Sequence, residues 1–102
     1  MDTATQPINQ HAGVCLFDDG NTRRLVPDLF IDNKFYFDMQ KVKKVLRIDL
    51  FEIVHVSDTD YIIICDEEAL CKADPIQNVM ASAFANYPIY GNAMICHTDC
   101  VR

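Results

Sequence analysis

The clearest alternation in the chain runs from Leu50 to Val56. Leu50, Glu52, Val54 and Val56 fall on one face, and Phe51, Ile53 and His55 on the other. Such a run, rich in β-branched residues, predicts a strand. Ser57-Asp58-Thr59-Asp60 follows as turn chemistry, and Tyr61 to Cys65 is unbroken apolar sequence. A short β-rich run without alternation predicts a strand buried on both faces. The two strands together predict a hairpin, closed abruptly by Asp66-Glu67-Glu68.

The period changes on either side of this hairpin. Met39, Val42, Val45 and Leu46 recur at helical spacing behind Asp38, a good N-cap, and predict an amphipathic helix over 39–47. Asp74-Pro75 resembles a helix start, and Ile76, Val79, Met80, Ala83 and Phe84 form one apolar stripe that ends before Pro88. Gly91-Asn92 leads into a last strand, Ala93 to Cys96.

Nearer the N-terminus, Gly13 to Phe17 and Arg23 to Val26 flank Asp18-Asp19-Gly20-Asn21, a turn cluster, and predict a second hairpin. Leu29-Phe30-Ile31 and Phe35-Tyr36-Phe37 flank Asp32-Asn33-Lys34 and read as two short strands with a tight connection. Residues 1–11 read as a flexible lead-in and 12–102 as one domain. The architecture expected is α+β, a mainly antiparallel sheet packed by one or two short helices.

Composition narrows the function classes. Half the residues are apolar, so a packed core is within reach and disorder is not expected. A net charge of −6 argues against direct binding of nucleic acid, which needs clustered Lys and Arg. Acidity serves solubility, or, more sharply, mimicry of nucleic acid toward a DNA-binding partner. No apolar run approaches the ~20 residues of a membrane span. Met1 to Gln10 is polar and lacks the basic flank and apolar stretch of an export signal. The five cysteines are odd in number, so reduced thiols in a cytoplasm are expected rather than a disulfide scaffold.

Candidate chemistry is sparse. Cys96, His97 and Cys100 are zinc-ligand types, with Cys65 and Cys71 further off, but no C-x-x-C pair exists and cysteine is equally a small core residue. A cysteine nucleophile needs a base, yet Cys96 and His97 are adjacent and point to opposite faces of an extended chain. Asp66, Glu67 and Glu68 could hold a metal only if other carboxylates converged on them, and they read more simply as a charged turn. No metal or cofactor is expected. Lys41, Lys43, Lys44 and Arg47 place four of the nine basic residues on one helix: a solvated face, or a dock for an acidic or phosphate-bearing partner. Phe84, Tyr87, Pro88 and Tyr90 cluster at the end of the second helix, as core or, if exposed, as interface.

From Asp38 onward the chain resembles a family of small domains carried by phages, large DNA viruses and plasmids. The residues that carry the likeness are Leu50-Phe51-Glu52-Ile53-Val54, Ile62 to Leu70 with its acidic turn, Pro75-Ile76-Gln77-Asn78 with Ala81, and Ile89-Tyr90-Gly91-Asn92-Ala93. It departs from the family where Ile48-Asp49 replaces a glycine pair and where Glu68-Ala69 follows the acidic pair instead of glycine. That family has no established activity, so the resemblance implies context only: a viral or mobile-element accessory protein in a host cytoplasm.

The leading expectation is a non-enzymatic protein that binds a host or viral macromolecule, a protein partner first, with inhibition of host defence as one form. A nucleotide-type ligand is the alternative, with the basic helix contacting phosphate and the tyrosines the base. An enzyme is the reading the residues support least. Lys41, Lys44, Arg47, Tyr87, Tyr90 and Asn78 are the candidate binding residues. Apolar edge strands near Phe35 to Phe37 also fit a homodimer paired across a twofold axis.

Overall fold

A computed structural model of the protein describes residues 11–102; the expected lead-in lies almost wholly outside the described residues. Seven strands and two helices follow in the order β1 (Gly13–Leu16), β2 (Thr22–Leu25), β3 (Leu29–Ile31), β4 (Lys34–Tyr36), α1 (Met39–Leu46), β5 (Phe51–His55), β6 (Tyr61–Asp66), α2 (Val79–Ala85) and β7 (Ala93–His97). Five strands form one antiparallel sheet in the order β2-β1-β7-β6-β5, and β3 pairs with β4 as a separate hairpin. This is the α+β arrangement the sequence predicts. The last strand is the central one, between the hairpins β1–β2 and β5–β6.

The unbroken apolar run of β6 has its explanation here. Ile62 and Ile64 enter the core beneath α1, with Cys15, Phe37, Val42, Leu46, Met94 and Cys96. Ile63 and Cys65 point the other way, into a smaller core with Leu16, Ala81, Ile89 and Ala93 beneath α2. A strand covered on both faces has no use for alternation. Phe37, expected at an exposed edge, is buried in the first core, and Phe35 stacks on Phe30 with ring centroids 4.8 Å apart.

Local signals set several joints. The Asp38 side chain caps α1 by accepting from the Gln40 amide at 3.0 Å. Asp32 and Asn33, both with positive φ, make the two-residue turn that matches the twist of a hairpin. At the other end of α1 the amides of Arg47 and Ile48 donate to the carbonyls of Lys44 and Lys43, and Ile48 is buried against Val42. This is a Schellman turn, with Arg47 at the left-handed position where glycine is usual.

The second helix differs from expectation. It begins at Val79, capped by Asn78, not at Asp74-Pro75. The residues before it are extended: Gly91 donates to the Ile76 carbonyl at 2.8 Å and Asn78 to the Ile89 carbonyl at 2.8 Å, with Gln77 bridged to Tyr90. This short ladder consumes the residues that would have formed the first turn. The helix is also rotated from the stripe read in the sequence. Asn78, Ala81 and Ala85, with Met80 of the predicted stripe, face the sheet, while Val79 and Phe84 turn outward.

Candidate functional site

Because α2 has seven residues, it covers only part of its face of the sheet. Along the strand register, Val14 lies opposite Ile95, Ile95 opposite Ile63, and Ile63 opposite Val54, a row of side chains on the α2 side. Ala12, Val14, Val56, Tyr61 and Ile95 floor a groove of about 400 Å³, and Phe84 of α2 forms its wall. Phe84 is 52% exposed and Val79 76%. A large apolar residue as exposed as Phe84 is worth explaining when it adjoins an apolar groove. Asp58 and Asp60, in the β5–β6 turn that contributes Thr59 to the groove, add acidic charge at its edge.

Tyr87 and Tyr90 line a second, smaller cleft beyond α2, with Glu52, Asp66, Glu67 and Leu70. The Asp66 side chain is buried; Oδ1 accepts from the Glu68 amide at 2.9 Å, and Oδ2 meets Lys72 Nζ at 2.7 Å. That hydrogen bond holds the Lys72 ammonium above its ordinary value. Burial, then the nearby Cys65 and Glu52, pushes the Tyr87 phenol up.

The basic residues sit on the α1 side instead. Lys41 pairs with Asp28 at 2.8 Å, with both side chains about half exposed. Lys44 and Arg47 line a cleft with Gln40, Lys43 and Asp49. The tyrosines and these cations therefore line different clefts. Arg47 also borders a third cleft with Asp18, Asp19, Arg23 and Asn92. Both Asp19 oxygens accept from Asn21 at 2.9 Å, and these bonds hold its carboxyl below the usual range.

Asn78 has an architectural place. It is 1% exposed, its amide donates to the carbonyls of Leu16 at 2.7 Å and Gly91 at 2.9 Å, and its oxygen accepts from Ala81 at 3.0 Å. Asn92, which the sequence marked only as a lead into the last strand and as part of a motif, is its counterpart on the α1 side. It donates to the Leu46 carbonyl at 2.8 Å and accepts from the Asp18 amide at 3.0 Å. Gly91, between these linkages, has φ +79°, which suits glycine.

Four of the five thiols are buried. Burial pushes Cys65 and Cys96 up to about 12, aided for Cys65 by Glu52 and for Cys96 by Cys100 and Cys15. Burial thus favours the neutral thiol at both positions. His97 faces away from Cys96, stacking on His11 at 4.5 Å with Tyr61 edge-on at 5.7 Å. Its Nδ1 accepts from the Asp99 amide at 3.1 Å. Among the described residues no three His, Cys, Asp or Glu side chains converge as a metal site. Among the described residues, too, no helix is long and apolar enough to cross a membrane.

No family model, no curated protein and no solved structure matches the chain. Within the fold, Pro75 to Asn78 and Ile89 to Ala93 are the paired segments that seat α2.

Proposed function

We propose that this is a non-enzymatic binding domain whose α2 face docks onto a protein partner. One observation carries the reading: α2 presents Phe84 to solvent as the wall of an apolar groove, with Val79 also exposed on the same helix. A helix serving the fold alone would orient its large apolar residues inward. The acidic turn at the groove's edge favours a partner segment whose apolar anchors carry basic flanks. In a viral or mobile-element setting, such a domain could occupy the basic working surface of a host defence protein.

The test is paired capture from host lysate, with the wild-type chain and a Val79→Asp/Phe84→Asp double variant immobilised side by side. Both side chains are exposed, so the variant should melt within a few degrees of wild type. A partner retained by wild type and lost by the variant supports the reading. Equal capture by both sinks it. A second copy of the chain is the competing occupant, and light scattering at two concentrations distinguishes it.

A further inference from the structure

Five non-glycine residues among those described have positive φ: Asp32, Asn33, Arg47, Asp58 and Asn86. Four are Asp or Asn, whose short polar side chains tolerate the left-handed region. Arg47 is the exception, at φ 61° and ψ 45°. Its cap bonds are made by backbone amides, which glycine would supply without strain. The cap geometry therefore does not need the arginine side chain, whose charge adds only the modest stabilisation any cation gives a helix C-terminus. The guanidinium takes no hydrogen bond or ion pair among the described residues; its charge reaches Asp19 across the neighbouring cleft and helps to hold that carboxyl below the usual range. It borders two open clefts of about 400 and about 310 Å³ and a smaller one of about 70 Å³, where Asp18, Asp66, Lys72 and Asp74 stand. In the first, Lys43, Lys44 and Arg47 face a single carboxylate, Asp49. In the second, Arg23 stands with Arg47, and one of the two carboxylates there, Asp19, is already held by Asn21.

Backbone strain kept at a residue whose side chain the cap does not require points to a site. We infer that Arg47, with Lys43 and Lys44, forms a binding site for a phosphate group, as inorganic phosphate or as the phosphate of a nucleotide. The guanidinium offers a planar fork to two phosphate oxygens, and the two lysines add point charges to the others. Asn92 fixes the platform by tying the end of α1 to the end of β1. The site lies on the α1 side of the sheet and is independent of the docking face beside α2.

Arg47→Gly is the decisive variant, because glycine suits this backbone and the chain will fold. Amide shifts of the full-length protein are followed at low salt while inorganic phosphate, ATP and adenosine are titrated separately. Wild type should respond to phosphate and ATP at Lys43, Lys44, Arg47 and Ile48, and not to adenosine. A stronger response to ATP than to inorganic phosphate assigns the nucleotide as the source. Arg47→Gly should melt at or above the wild-type temperature and bind about tenfold or more weakly, as expected for losing a charge-assisted fork. Arg24→Gln, which removes one positive charge from β2, should bind as wild type does. Wild type silent to millimolar phosphate and ATP overturns the site. So does equal binding by Arg47→Gly, or an equal loss in Arg24→Gln, which would reduce the effect to general electrostatics.

Discussion

Asn78 shows how much one side chain can join. Its amide spans the end of β1 and the segment before β7, while its oxygen caps α2. Asn78→Ala removes the cap and leaves two carbonyls without a donor, and should cost about 2–4 kcal/mol in urea unfolding. Asn78→Asp keeps the shape but aims a carboxylate at those carbonyls, so it should be no milder. The residue stood out in the sequence as part of a motif, but its burial did not, because its partners lie 62 and 13 residues away. The thiols give a second expectation. Cys71 is exposed and the other four are buried, so a thiol reagent should label one site promptly and the rest only on unfolding. The raised thiols also set a pH dependence. The folded state holds their protons more tightly than the unfolded chain, so their stabilisation is complete below 9.0 and is lost as pH climbs toward about 12. The melting temperature should fall across that window, and less steeply in Cys96→Ala, which begins lower.

Elements whose signals are local were legible. Asp38 caps α1 two residues ahead, and Asp32-Asn33 turns a hairpin within itself. The helix after Pro75 was legible as an element, but neither its start nor its rotation was. Its start depends on pairing with residues 89–91, and its rotation on how closely it meets the sheet. Close approach favours the small face, Ala81 and Ala85, over the larger stripe that periodicity picks out. Ala81 has no exposed surface, so Ala81→Leu should overpack the second core and cost about 1–3 kcal/mol or more. Ala83→Leu, on the solvent side, should stay within about 0.5 kcal/mol of wild type. Chemical denaturation of the pair reports directly which way the helix faces. Comparable losses at both positions would contradict the observed rotation. The candidate docking face was legible only as one of two readings, core or interface, because the exposure of Phe84 depends on the rotation of α2.

Across the whole molecule, the sheet separates two surfaces of unlike character. One carries α1 with its basic residues; the other carries a short helix, an apolar groove and acidic turns. Composition alone reported only their sum, −6. The α+β class was legible because each hairpin announces itself locally; the order of strands was not, since it depends on where β7 goes. That position has a consequence in time. The two hairpins are complete by residue 66, yet they share no strand pairing until Ala93–His97 enters between them. A nascent chain that stops short of Ala93 carries two strands, β1 and β6, with unpaired edges facing an empty slot, a template for pairing with other chains. Such a truncation should show no cooperative thermal transition and should aggregate. Assembly of this protein is therefore a closing step, in which the strand made last turns two separate ribbons into one sheet.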